Sequence, residues 1–589
     1  MNYYRPPLSD IRFLLETFDY DGVVGKIPAY SDFDLETCMG LLEAYAQFCV
    51  SELLPLNEKG DQQGVKYDPE THDVKVPDGF IEAYKAYCMN GFASLPHPAE
   101  FGGMGAPLVL STLAQEIISA CNKSFSMCPG LTAGLIEALH AHASKEINDK
   151  YLAKLVSGEW AGTMCLTEPQ CGTDLGLLTT KAEAFGDHWK LTGTKTWITF
   201  GEHGMTDNII HFVLARLPDA PSGIKGISTF IVPKILDDGS RNPIFCGGTD
   251  HKMGIHASPT CVMNLEDCEG WLVGEPHKGM RSMFTMMNAA RLQVGSEGVS
   301  LGEAAYQNAL EFAKDRRQSR SLNPELRDEN HAADNILVHP DVRRMLLNVK
   351  STTEGVRALI AWIGINYDVM HNSEDAEAKE KASDLVALLT PIIKSYGSEQ
   401  GFANISEAMQ AMGGAGYTAD WPVEQYMRDE RIAMIYEGTN HIQALDLVGR
   451  KLPMKGGQLM RVFAGEVTSL IRECSGDEAL APYVAALKTE SKRLNETTMT
   501  MGAAAMHDNE IIGAVANNYL NQFALVTLAY AWLRQLKAVQ SRPEDDTLRR
   551  AKMQTGRFFF ELVLPEAEMY AKKVAVGKGP MTEIDVDLL

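Results

Sequence analysis

The residues with the clearest capacity for chemistry lie in the stretch 428–443, which reads RDERIAMIYEGTNHIQ. At its centre Glu437 stands between Tyr436 and Gly438, behind the apolar pair Met434 and Ile435 and just ahead of Thr439. A carboxylate in apolar company loses hydration, its proton affinity rises, and it becomes a competent general base near neutral pH. Glycine beside it lets a ligand come close to the backbone. An isolated Tyr-Glu-Gly-Thr is more often a solvated loop acid next to a turn glycine, so the reading depends on what else the chain carries.

Two further stretches supply candidates. Residues 164–174, MCLTEPQCGTD, are expected on a loop entering a β-domain. The Thr167 and Thr173 hydroxyls and the Gly172 amide would form a polar rim suited to the carbonyl and nitrogen edge of a flat heteroaromatic ring. Taken alone, the same loop is a proline-containing turn capped by threonine. In 195–199, KTWIT, strand alternation places Trp197 and Thr199 on one face. That pair is either a core tryptophan or a ring stacked on a cofactor with a hydroxyl at its side.

These residues need elements to hold them, and the chain offers ample material. Its 589 residues divide into about three or four domains. The net charge of -23 and the lack of a basic cluster argue against a nucleic-acid partner. The eleven cysteines are odd in number, scattered and without a C-x-x-C pair. They fit reduced thiols in a cytosol better than a disulfide framework, and no metal site is expected. The N-terminal residues carry acids where a transit peptide avoids them and show no basic segment followed by an apolar core, so a mature, cytoplasmic protein is expected. No window approaches ~20 uninterrupted apolar residues, so no membrane span is expected, and the apolar stretch 523–533 reads as a buried helix.

The hydrophobic period changes twice along the chain. Residues 1–34 look like an extension lying over a neighbouring surface, and 35–160 have mostly helical spacing, interrupted by the loop glycines Gly102, Gly103 and Gly105. Short β-branched and aromatic segments separated by Gly, Asp and Pro occupy 161–278, a compact β-domain. Helical spacing returns over 279–454. Here 279–318 is one very long helix or two in line, and further helices are expected at 339–365, 373–412 and 420–452. Residues 455–589 have the content of another helical domain.

The motifs, in this order and at these separations, resemble the acyl-CoA dehydrogenase family over roughly 35–452. The resemblance implies an α+β fold: an N-terminal helical domain, a middle β-barrel domain and a C-terminal helical bundle, to which this chain adds an extra C-terminal helical domain. The extension, the tail and the phrases DHKMGIHASPT, MMNAARLQVG and DLVGRKL are most similar to a long bacterial branch. That branch includes enzymes for 3-methylmercaptopropionyl-CoA, the best specific expectation, as well as for short- or medium-chain acyl-CoAs.

The resemblance also implies roles. FAD would be the cofactor, with Met164, Leu166, Thr167, Gly172 and Thr173 along the flavin, Thr167 at the pyrimidine edge and Thr173 near the CoA thioester arm. Trp197 would pack on the isoalloxazine and Thr199 would bond near N5. Arg316 and Gln318 would reach the pyrophosphate, although Ser319 and Arg320 replace the family's usual Phe-Gly. Gln410, Gly413 and Gly414 would hold the adenine half across a subunit interface; by themselves the glycines read as a helix C-cap. Thr439 and His441 would also touch FAD, His441 standing where the family often has Gln. Glu437 would be the base, with Tyr436 and Gly438 flanking the substrate and Arg291 toward the CoA adenine. A subset of the family carries its base just before that arginine, where this chain has Ala290. An electron-transferring flavoprotein as acceptor and a homo-oligomer, dimer or tetramer, complete the expectation. A flavin oxidase and a non-enzymatic flavin-binding interaction protein are the rival readings.

Overall fold

A computed structural model describes residues 2–589; Met1, the first residue of the expected extension, lies outside them. The chain forms two compact units. One comprises Leu41–Pro107 and Ile117–Gln293, the other Met1–Gly40, Leu108–Glu116 and Val294–Leu589.

In the first unit, helices Leu54–Gln63, Phe80–Met89 and Lys145–Val156 accompany most of the long helix Leu108–His142. That helix breaks its regular geometry at Asn122 (φ -162°, ψ 90°). The Asn122 side chain answers the freed groups, accepting from the Phe125 amide at 3.0 Å and donating to the Leu53 carbonyl at 3.3 Å. The β-domain follows, with strands Trp160–Cys165, Lys181–Phe185, His188–Thr199, Asn208–Arg216, Ile227–Pro233, Ile244–Thr249 and Thr260–Val273. Strand Asn208–Arg216 pairs with Lys181–Phe185 on one side and Ile227–Pro233 on the other, and the pairing runs on through His188–Thr199 and Thr260–Val273 until it closes on itself. Closure removes open edges. Leu191, Ile198, Val213, Phe230, Met263 and Leu265 fill the interior.

The second unit is helical. The continuation of Gly279–Asp315 crosses Ala376–Met412 backbone to backbone. A Cβ on Gly298 would lie 2.1 Å from the Gly397 carbonyl oxygen, so this crossing requires glycine. Helix Leu8–Thr17 of the extension buries Ile11, Phe13, Leu14 and Leu15 and packs on Pro340–Asn372 and Glu510–Val539. The extension thus does cover a neighbouring surface, as a helix. The stretch 523–533 is the wholly buried middle of Glu510–Val539, and Trp532 donates its indole N–H to the Ser351 carbonyl at 3.0 Å. Among the described residues no helix is long and apolar enough to cross a membrane.

The structure changes the expected helix at 420–452. It is interrupted: Val423–Glu430 gives way to the single turn Arg431–Met434, and helix resumes at Asn440–Asp446. Two left-handed residues in the gap make a continuous helix impossible, and one of them is Glu437.

Candidate active site

The candidate base sits on a strained turn. Glu437 (φ 57°) and Gly438 (φ 82°) are consecutive left-handed residues. Glycine adopts this conformation freely, whereas a glutamate there costs roughly 1–3 kcal/mol that surrounding contacts must offset. Gln443 provides such contacts. Wholly buried, it donates from Nε2 to the carbonyls of Glu437 at 3.1 Å and Gly438 at 3.2 Å. It can do so because helix Asn440–Asp446 starts at once, with the Thr439 hydroxyl accepting from the Ile442 amide as N-cap. Asn440 ties that helix down, accepting from Lys394 Nζ at 3.1 Å and Ser398 Oγ at 3.2 Å and donating to the Ser395 carbonyl at 3.1 Å.

The neighbours of the turn divide. Tyr436 donates its hydroxyl to Glu297 Oε2 at 2.5 Å. Burial, reinforced by the Glu297 charge, holds the phenol well above its ordinary range, so it remains a protonated donor. The phenol is therefore engaged inside the fold. Ile435 is 49% exposed, so it does not provide the apolar shielding of Glu437 that its place in the sequence suggests. His441 Nδ1 lies 3.0 Å from Asn517 Oδ1 on the tail helix Glu510–Val539.

The second group of candidates lies in the unit with the β-domain. Met164, next to last in strand Trp160–Cys165, is half-buried, Leu166 is buried, Thr167 half-buried, and Gly172 and Thr173 are exposed on the loop beyond. Strand His188–Thr199 breaks its alternation at Thr196 and Trp197 and then resumes, so Trp197 and Thr199 do share a face on either side of the buried Ile198. Lys195 pairs with Met263 and Ile198 with Cys261, which leaves Thr196 and Trp197 together opposite Val262 as a β-bulge. The bulge shifts the phase by one residue. Regular alternation from the buried Leu191 and Lys195 would send Trp197 inward; instead Ile198 is buried and Trp197, at φ 59°, is 64% exposed with half-buried Thr199 next but one. A large ring held outward in a left-handed conformation is not a core tryptophan.

The remaining candidates are dispersed. Arg316 and Gln318 are exposed after helix Gly279–Asp315, in a loop where Ser319 takes φ 63°. Asp334 organises that loop, its carboxylate accepting the amides of Ser321 at 2.6 Å and Asp328 at 2.7 Å. Gly413 is the C-cap of Ala376–Met412 at φ 60°, and Gln410 and Gly414 are exposed beside it. Arg291 is buried within its helix, 5% exposed.

Three residues escaped the sequence reading: Gln443, Glu297 and the pair partner of Lys195, which is Glu168. Lys195 and Glu168 meet at 2.8 Å with both side chains essentially inaccessible. The only sequence signal was a lysine at an inward position of an otherwise alternating strand.

Comparison with known proteins agrees with this layout. Residues 37–159, 163–268 and 277–452 match the family models of the acyl-CoA dehydrogenase N-terminal, middle and C-terminal domains, and 463–585 match an acetyl-CoA dehydrogenase C-terminal-like domain. The chain belongs to the acyl-CoA dehydrogenase family, whose members are flavin-dependent oxidoreductases that bind FAD. It is 39% identical to the 3-methylmercaptopropionyl-CoA dehydrogenase of Ruegeria pomeroyi over 96% of each chain. It is 33% identical to a broad-specificity linear acyl-CoA dehydrogenase of Mycobacterium tuberculosis, over 88% of this chain and 84% of that one. An acyl-CoA dehydrogenase of Bacillus anthracis, solved with FAD, has the same fold, with a TM-score of 0.75 at 24% identity, covering 94% of this chain and 90% of that one.

Proposed function

We propose that this enzyme dehydrogenates an acyl-CoA thioester between its α- and β-carbons, with Glu437 as the base, and that its substrate is 3-methylmercaptopropionyl-CoA. The observation that carries the assignment of the base is the left-handed turn at Glu437, locked through its carbonyls by Gln443. Strain at a functional carboxylate is retained where orientation matters. The identity shared with the Ruegeria pomeroyi enzyme along nearly the whole chain supports the substrate.

The residues present suit FAD. In the unit with the β-domain, Trp197 offers an exposed ring face, Thr199 and Thr167 offer hydroxyls, Met164 stands near the end of its strand, and Leu166, Gly172 and Thr173 belong to the loop that follows. Arg316, Gln318, Gln410, Gly413, Gly414, Thr439 and His441 are the proposed contacts in the other unit. When bound, FAD supplies the two-electron acceptor for the β-hydride. Glu437 takes the α-proton, a task a free carboxylate performs poorly because the thioester α-hydrogen is so weak an acid. The Glu437 amide, presented on the locked turn, is the proposed donor to the thioester oxygen as negative charge gathers there. Gly438 leaves the acyl chain room beside the base, and Arg291 is the proposed contact for the CoA end. An electron-transferring flavoprotein would be the electron acceptor, and a homo-oligomer is the proposed assembly.

Mixing the protein anaerobically with a panel of acyl-CoAs tests this. Flavin absorbance should fall fastest with 3-methylmercaptopropionyl-CoA; faster bleaching by butyryl- or octanoyl-CoA would establish the fatty-acyl reading instead. Rapid reoxidation of the reduced enzyme by oxygen would favour an oxidase.

A further inference from the structure

The loop at Thr167 and the bulge at Trp197 are joined by a buried ion pair to which the chemistry above gives no part. We propose that Glu168 and Lys195 are positioning residues that aim the Trp197 ring and set the Thr167 loop beside it; the proposal rests on the reading of those two residues as flavin contacts.

The geometry is continuous through one unit. Lys195 Nζ donates to Glu168 Oε1 at 2.8 Å and to the Leu166 carbonyl at 3.1 Å. It thus holds the loop on both sides of Thr167. Glu168 gathers the far limb of the loop, accepting from the amides of Thr179 at 2.6 Å and Thr180 at 3.0 Å, the Thr179 hydroxyl at 2.8 Å and Gln170 Nε2 at 2.6 Å. Burial pushes the Glu168 carboxyl up, but the Lys195 charge and these donors outweigh it and hold the group at about 2, so it is ionised.

On the strand, Lys195 is the last inward side chain before the bulge. With Lys195 drawn into the interior and Ile198 buried in its turn, the two residues between them must arch outward. The Thr196 amide, displaced from the strand ladder, donates to the Thr167 carbonyl at 2.9 Å. Trp197 then projects in a left-handed conformation. Loop and bulge are therefore one body whose register is set by a single charge pair. A buried pair is weak evidence for stability in itself, and its value here is geometric.

The test removes the pair without leaving a lone charge, because either single change would strand its partner in the interior. Glu168→Gln with Lys195→Met keeps both volumes and should give a folded protein by far-UV circular dichroism. Titration of apoprotein with FAD, followed by flavin fluorescence, should then show a dissociation constant raised about tenfold to hundredfold, the loss expected when one or two supporting hydrogen bonds go. Trp197→Phe should weaken FAD binding less in this background than in the wild type. Wild-type affinity in the double variant, or an equal cost of Trp197→Phe in both backgrounds, overturns the proposal. Trimming the exposed partners of the carboxylate, Gln170→Ala with Thr179→Val, tests the same idea without touching the pair. Affinity should fall about threefold to tenfold, and unchanged affinity counts against positioning. Failure of the underlying reading looks different: Trp197→Ala with the pair intact would leave FAD affinity unchanged.

Discussion

Glu437 concentrates the chemistry proposed for this enzyme in one side chain, which makes it directly testable. Glu437→Gln preserves size and hydrogen bonding, and the backbone clamp from Gln443 binds carbonyls that the substitution leaves in place. The variant should stay yellow and bind acyl-CoA, while flavin reduction in stopped flow slows by ~100-fold to ~10,000-fold, the usual cost of losing a general base. Dithionite should still reduce it. Reduction by substrate near the wild-type rate would dismiss Glu437 as the base. Two further residues, both buried, contribute to the pH response in opposite senses. Burial, with Arg241 and Lys234 nearby, holds His211 at about 3, far below the ordinary 6.5, so it is neutral in the folded protein. Unfolded chains take up a proton below 6.5 and the folded chain does not. This contribution to stability is therefore complete above pH 6.5 and is lost as pH falls toward 3. Burial raises Asp368 to about 7, which acts in the opposite sense, so the bulk stability curve mixes both. The clean measurement is a difference: the stability gap between wild type and His211→Asn should shrink as pH is lowered from 6.5 to 5.

At the scale of elements, the turn that carries the proposed base depends on a helix that begins immediately after it. Thr439 caps that helix, Asn440 fastens it to Ala376–Met412, and Gln443 reaches back to hold the two left-handed carbonyls. Gln443→Leu keeps the bulk but withdraws both donors. Relaxation of Glu437 toward ordinary backbone angles should displace its carboxylate by a fraction of an ångström to an ångström, and misplacement on that scale costs about 100-fold. We expect kcat to fall by roughly 10-fold to 100-fold with KM little changed and the far-UV spectrum intact. A variant with unchanged kcat would show that the turn holds itself.

Within the helical unit, the extension and the tail are fastened to the bundle by a buried charge network. Arg357 meets Glu116 at 2.7 Å, Asp10 at 2.7 Å and Glu303 at 2.7 Å, and Lys552 meets Asp10 at 2.5 Å and Glu354 at 2.8 Å. Asp10 belongs to the extension and Lys552 to the tail, so each end of the chain completes the other's pairing. Removing residues after 452 would leave Asp10 and Glu354 without Lys552 and uncover the bed of Trp532. Asp10 keeps Arg357 and Glu354 keeps Lys350, so each carboxylate is left under-paired but not alone. With the apolar bed of the tail uncovered as well, the truncated chain should be insoluble, and a soluble, active truncation would contradict this. Assembly gives a second prediction. Gln410, Gly413, Gly414 and Tyr417, the last 79% exposed, leave a stretch of backbone open at the end of Ala376–Met412. If this segment holds FAD in a neighbouring subunit, dilution should release FAD and oligomer together in analytical ultracentrifugation. A monomer that retains FAD would dismiss it.

Much of this was legible in the linear chain because it depends on local composition. The two changes of hydrophobic period marked the helical and β regions, and the strand 188–199 and the buried helix at 523–533 formed where their residues alone suggested. The motifs around Glu437, Thr167 and Trp197 pointed to the family that the domain matches show, since side-chain type is a property of the residue. Orientation was another matter. Whether Trp197 faced in or out turned on a bulge against the partner strand, and the helix expected through 437 is broken by a turn whose following helix Asn440 ties to Ser395, 45 positions away. Lys195 looked like an ordinary strand residue until Glu168, 27 positions away, came to meet it, and Asp10 and Arg357 are separated by 347. Residue chemistry and element type are short-range properties and were already written in the order of residues. The direction of each functional group is set by contacts between residues far apart in sequence, and only the tertiary structure decided it.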